Sequence, residues 1–93
     1  MIASFRCKET QALFEEDAPS KKFGSIANPA RRKLDMLAAA TRLEDLRSPP
    51  GNRLEALSGN RQGQHSIRVN DQWRICFVWL AGSAHNVEIV DYH

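Results

Sequence analysis

Three titratable side chains stand together at Asp91-Tyr92-His93, directly after the strand-like run Val87-Glu88-Ile89-Val90. A carboxylate, a phenol and an imidazole can accept, relay and donate protons. Two arginines, Arg68 and Arg74, lie upstream, and a hairpin would bring them together. Acid, base and phosphate-binding cations are the groups needed to cleave RNA without a metal. Arginine suits the anionic part of that task, because its planar fork binds a phosphate bidentately and keeps its charge at any relevant pH.

The elements that must position these groups emerge from periodicity. Met1 to Arg6 reads as a short strand, and Thr10 to Glu16 as a short helix. Asp17 to Gly24 reads as a loop around Pro19, Ser20 and Gly24. Asn28-Pro29 has the form of a helix start, with Asn as cap and Pro in the first turn. Ala30, Leu34, Leu37, Ala38 and Thr41 then recur on one face, so the main helix is expected over about Pro29 to Ala40. Leu43 to Leu46 allows one more turn, and Ser48-Pro49-Pro50-Gly51-Asn52 breaks any helix.

After that break the period changes to two. His65, Ile67 and Val69 alternate with Ser66, Arg68 and Asn70. Trp73, Ile75, Phe77 and Trp79 alternate with Arg74, Cys76 and Val78. Keeping both apolar sets on one face requires an odd-length loop, Asn70 to Gln72, and that register sets Arg68 opposite Arg74. Ala81-Gly82-Ser83 makes a second turn, and Asn86 to Asp91 returns as the last strand. The expected fold is α+β: a small antiparallel sheet with N-terminal helices packed on one face, in a single domain over residues 1–93.

Two like charges paired across strands repel, and a bound phosphate would reverse that penalty. The alternatives are that both arginines face solvent, or that one pairs with Glu55 or Asp91. Tyr92 could close the core and His93 could stand in water. Trp73 and Trp79 share the apolar face with Ile75 and Phe77, which suits core better than base stacking. His65 begins its strand on that same face, where it could be a covered rim residue. Cys7 and Cys76 show no metal or redox spacing and fit as small buried hydrophobes.

Bulk properties narrow the classes. The 93 residues carry a net charge of +2 with 42% hydrophobic residues, ordinary values for one small globular domain. From Arg47 to Arg74 five arginines oppose only Glu55 and Asp71, so the positive charge is concentrated there. No apolar run approaches a membrane span and no signal peptide is visible, so a cytoplasmic protein without membrane contact is expected.

The segment Asn52-Arg53-Leu54-Glu55-Ala56-Leu57-Ser58-Gly59-Asn60-Arg61-Gln62-Gly63, then Ser66-Ile67-Arg68-Val69-Asn70, then Trp73-Arg74-Ile75, then Asp91-Tyr92-His93, resembles the HigB toxins. These belong to the RelE superfamily of bacterial toxin–antitoxin systems. The likeness spans nearly the whole chain, from the opening Met-Ile-x-Ser-Phe, here Met1 to Phe5. It implies a ribosome-dependent endoribonuclease that cuts mRNA in the ribosomal A site and uses no metal or other cofactor. It implies a microbial-RNase-like sheet whose open face is the active site. It also implies a HigA-type antitoxin with a helix-turn-helix domain, through which alone the toxin would meet operator DNA.

Matched to the family, Arg74 is the phosphate-stabilising arginine, Arg68 a second cation, and Asp91, Tyr92 and His93 the functional triplet. Some HigB toxins have His where Glu55 stands and Lys where Ser58 stands. The related toxin YoeB has Glu at the position of Glu55 and a His-Tyr pair near its C-terminus. By that comparison Glu55 is the candidate general base and His93 the candidate acid. The alternative for Glu55 is an exposed glutamate pairing with Arg53 or Arg74. Arg53, Arg61, His65 and Arg68 are the candidate RNA contacts. Two other functions fit the same fold: a non-catalytic toxin acting on DNA gyrase, as ParE does, or an RNA-binding module serving mainly as co-repressor.

Overall fold

The computed structural model describes residues 1–16 and 22–91. The expected loop of residues 17–24 therefore lies partly outside the described residues. Two helices, α1 (Lys8–Glu15) and α2 (Ala27–Ala39), precede a sheet of four strands. The strands are β1 (Glu55–Ala56), β2 (His65–Arg68), β3 (Trp73–Leu80) and β4 (Ser83–Asp91), antiparallel in the order β1-β2-β3-β4. The α+β class is as the change of period indicates.

Helix α2 buries Ala30, Leu34 and Leu37, spaced to fall on one stripe. That stripe joins Ile67, Ile75, Phe77, Val87 and Ile89 of the sheet in one apolar core. The helix begins at Ala27, earlier than the Asn28-Pro29 signal suggests, because a 3-10 turn over Gly24–Ile26 runs straight into it. Asn28 is then inside the first turn and accepts a hydrogen bond from Arg31 Nη1 at 3.1 Å instead of capping. Pro29 is still tolerated there, since first-turn N–H groups have no partner within the helix.

Between α2 and β1 the chain makes 3-10 turns over Leu43–Arg47 and Pro50–Asn52. The Asp45 carboxylate accepts the backbone N–H of Thr41 at 3.0 Å and of Arg42 at 3.1 Å. Those two bonds hold its pKa below the ordinary aspartate value. Asn52, expected only to break the helix, is fully buried. Its amide donates to Leu46 O at 3.2 Å and its carbonyl accepts Lys33 Nζ at 2.5 Å, so it ties this connection to α2.

The opening segment lies alongside β4 in parallel, through bridges Ile2↔Ala84 and Phe5↔Val87. Helix α1 then extends the cover, because buried Thr10 accepts the Ile89 N–H on its hydroxyl at 3.1 Å. An edge that would otherwise offer free N–H groups is closed by this arrangement. Strand β4 carries a bulge at the register shift opposite Cys76/Val78, with Asn86 in the left-handed region at φ 54°. The β2–β3 turn is held by Asn70 Oδ1, which accepts the N–H groups of Gln72 and Trp73 at 2.9 and 2.8 Å. No helix among the described residues is long and apolar enough to cross a membrane.

Candidate active site

Sheet register decides which side chains share a face, because directly opposed residues project to the same side. Ile67↔Ile75↔Ile89 and His65↔Phe77 point toward the helices. Two rows therefore project to the other, open side. One is Glu55↔Ser66↔Cys76↔Glu88, and the next is Arg68↔Arg74↔Val90. The odd-length turn places Arg68 directly across from Arg74, as the alternating pattern requires.

Three guanidinium groups gather on this face, and each meets a carboxylate. Arg74 Nη1 is 3.3 Å from Glu55 Oε1, with the arginine side chain only 20% exposed and the glutamate 49%. Arg61 Nη1 is 2.8 Å from Glu88 Oε1. Arg68 pairs with the almost fully exposed Asp71. Opposed like charges on β2 and β3 would repel, and these carboxylates offset that cost in the absence of another anion. The Asp71 pair is the most readily exchanged, since an exposed ion pair contributes ~1 kcal/mol or less.

Beneath the arginines the sheet is sealed. Ser66 and Cys76 are both fully buried although they belong to the open row. Burial pushes the Cys76 thiol pKa up, and the nearby Arg61 and Arg74 charges oppose that rise while Glu88 adds to it. Glu88 stands directly opposite Cys76 in the register. The Ser66 hydroxyl is buried with no hydrogen-bond partner among the described residues.

Other candidates sit elsewhere. His65 lies on the helix side, its ring stacked on Phe77 with centroids 6.3 Å apart. Its register opposite Phe77 keeps it on the apolar face, away from the Arg68–Arg74 row. Arg53 is exposed, with its backbone in the left-handed region at φ 47°. Both line a hollow of about 470 Å³ behind β1, together with Glu55. Asp91 is paired with Trp73, so it projects to the helix side, and its carboxylate accepts Gln72 Nε2 at 3.0 Å. Val90, not Asp91, stands opposite Arg74. Tyr92 and His93 lie outside the described residues.

Glu88 is the participant that sequence reasoning missed. It is 15% exposed, holds Arg61, and comes within 3.9 Å of Arg6. A signal was present: a glutamate inside an otherwise apolar strand needs a cationic partner once the strand is covered.

The helices, the meander and the cation-bearing open face make a small α+β domain with one basic surface. A family model described as RelE-like toxin of type II toxin-antitoxin system HigB matches residues 3–93. Toxin HigB-1 of Vibrio cholerae is 45% identical over 87 residues, covering 92% of each chain. Endoribonuclease HigB of Proteus vulgaris is 32% identical over 93 residues, the full length of both. The chain belongs to the HigB-like toxins of type II toxin–antitoxin systems. Membership implies an antitoxin as its partner.

Proposed function

We propose that this toxin is a ribosome-dependent endoribonuclease that cleaves mRNA in the A site by attack of a ribose 2′-OH, without a metal. The observation that carries the reading is Glu55 held 3.3 Å from Arg74, beside Arg68 on an open sheet face. A proton acceptor and two phosphate-binding forks are thereby within one patch. The Proteus vulgaris relative is named an endoribonuclease, which supports the same chemistry.

In this mechanism the scissile phosphate takes the forks of Arg74 and Arg68 and displaces their carboxylates. Glu55, released from Arg74, accepts the 2′-hydroxyl proton. The oxygen attacks phosphorus, and the cations stabilise the charge that develops on the phosphorane. His93 is the proton donor to the departing 5′ oxygen, with Tyr92 beside it, whereas Asp91 leaves on the other side of the sheet and takes no part in the step. The products are a 2′,3′-cyclic phosphate and a 5′-hydroxyl. Arg61, anchored by Glu88, and Arg53 contact neighbouring phosphates. The partner is a HigA-type helix-turn-helix antitoxin, the targets are the 70S ribosome and mRNA, and the compartment is the cytoplasm.

Primer extension on messages after induction tests this. Cuts within translated codons, lost in Arg74→Ala, are expected. Intact message with prompt loss of DNA synthesis would replace the proposal with a gyrase-directed toxin. Intact message with salt-sensitive RNA binding would replace it with a co-repressor.

A further inference from the structure

Ser66 on β2 has no part in the chemistry above, and packing does not explain its hydroxyl. The residue is 0% exposed, and its Oγ has no hydrogen-bond partner among the described residues. A buried hydroxyl left without a partner costs stability, and alanine would fill the position without that cost. Native structures retain few such groups, and those they retain are concentrated where a function uses them.

The register limits what this hydroxyl can meet. Ser66 stands between Glu55 on β1 and Cys76 on β3, in the row that projects to the open face. Arg68 is two residues along the same strand, and Arg74 is diagonal to Ser66 on β3. Guanidinium groups only donate hydrogen bonds, and a thiol is a weak acceptor. Glu88 lies one strand further away, opposite Cys76, and already holds Arg61 at 2.8 Å. Among these side chains Glu55 is the acceptor for the Ser66 O–H, because directly opposed residues have Cβ atoms about 4.5–5.5 Å apart. In the free toxin that carboxylate is drawn to Arg74 instead, 3.3 Å away.

We propose that Ser66 is a positioning residue for the general base: once phosphate takes Arg74, the Ser66 hydroxyl donates to one oxygen of Glu55 and holds the other beside the ribose 2′-OH. The proposal rests on the endoribonuclease reading, with Glu55 as the base. No proton leaves the serine, and the 2′-hydroxyl proton goes to the second Glu55 oxygen. Glu55 is 49% exposed, so without an anchor the released carboxylate would swing into solvent and lose the alignment that proton transfer needs. The buried hydroxyl needs no opening to solvent for this, because its acceptor is its neighbour on the next strand.

Two sets of variants test this, one of them without RNA. Arg74→Ala releases Glu55 in the free toxin. Ser66→Ala should leave Tm unchanged or raise it in the wild-type background, and should lower it by about 4–8 °C in the Arg74→Ala background. A lowered Tm in the wild-type background would show the hydroxyl already bonded in the free toxin and would overturn the proposal. An unchanged Tm in the Arg74→Ala background would overturn it too.

In the second set, single-turnover cleavage is measured on ribosomes programmed with a defined codon. Ser66→Ala should slow cleavage at saturation by about tenfold to a hundredfold and leave the half-saturating concentration unchanged. In the Glu55→Gln background the same change should alter the residual rate by less than about twofold. An equal loss in both backgrounds, or a wild-type rate for Ser66→Ala, would overturn the proposal and leave the endoribonuclease reading in place. The expected Tm pattern with no message cleavage by the wild-type toxin would overturn the catalytic use of the pair together with that reading.

Discussion

Under the proposed mechanism, Arg74→Ala should separate catalysis from folding. Arg74 is only 20% exposed, so its charge acts in a partly water-excluded setting, and it faces Arg68 across the strand pair. Losing one charge-stabilising donor typically lowers turnover by about 10²–10³, equivalent to about 2.7–4 kcal/mol of transition-state stabilisation. Arg68 remains, so the loss should not exceed that range. The stability effect is much smaller. The half-exposed Glu55 partner contributes about 1 kcal/mol or less, and removing Arg74 also relieves its repulsion with Arg68. A change of 1 kcal/mol would move Tm by about 4–8 °C in a domain of this size. Single-turnover cleavage on purified ribosomes gives the rate, and a thermal melt gives the stability. Arg74→Lys keeps the charge but loses the fork, and should fall between the two. A variant that melts normally and still cleaves at more than about a third of the wild-type rate would refute the role assigned to Arg74.

Three other perturbations have definite expected outcomes. Thr10→Val leaves the buried Ile89 N–H without its acceptor, and should cost about 1–3 kcal/mol in a denaturant melt; no change would show that the α1–β4 tie is dispensable. Asp45 has a lowered pKa in the folded state, so its stabilising contribution is present above the unfolded value near 3.8 and is lost as pH falls through the lower folded value. Melts of wild type and Asp45→Asn should therefore differ at neutral pH and converge in acid, and a gap that widens in acid would contradict this. Cys76 is fully buried with its thiol pKa raised, whereas Cys7 is partly exposed, so alkylation near pH 8 should label Cys7 first and Cys76 only on unfolding. Equal rates in the folded protein would contradict the sealed sheet.

The open face was legible because a strand has period two. Once Ile67 and Ile75 are required to share the core, the turn must be odd and Arg68 must meet Arg74. Helix α2 was legible from Ala30, Leu34 and Leu37, but its start was not, because a 3-10 turn leading into a helix leaves no capping signature. The bulge at Asn86 also lacked a signal, since no glycine marks the positive φ there. Asn52 looked like loop chemistry. Its burial comes from what packs around the 46–52 connection, which local sequence does not encode. The division of the candidates was hidden for a related reason. Asp91 and Arg74 look close along the strands, yet Asp91 pairs with Trp73 and leaves on the other side. His65 likewise keeps its apolar register to the helix side, stacked on Phe77.

In the proposed mechanism the guanidinium groups of Arg68 and Arg74 stabilise a phosphorane during RNA cleavage. The most direct measurement is end-group analysis of message fragments released by purified toxin from 70S ribosomes programmed with a defined codon in the A site. Fragments ending in a 2′,3′-cyclic phosphate, with 5′-hydroxyl partners, are predicted, and their rate of release should fall by about 10²–10³ with Arg74→Ala. Fragments with 5′-phosphate ends, or an untouched message beside wild-type toxin, would contradict the claim.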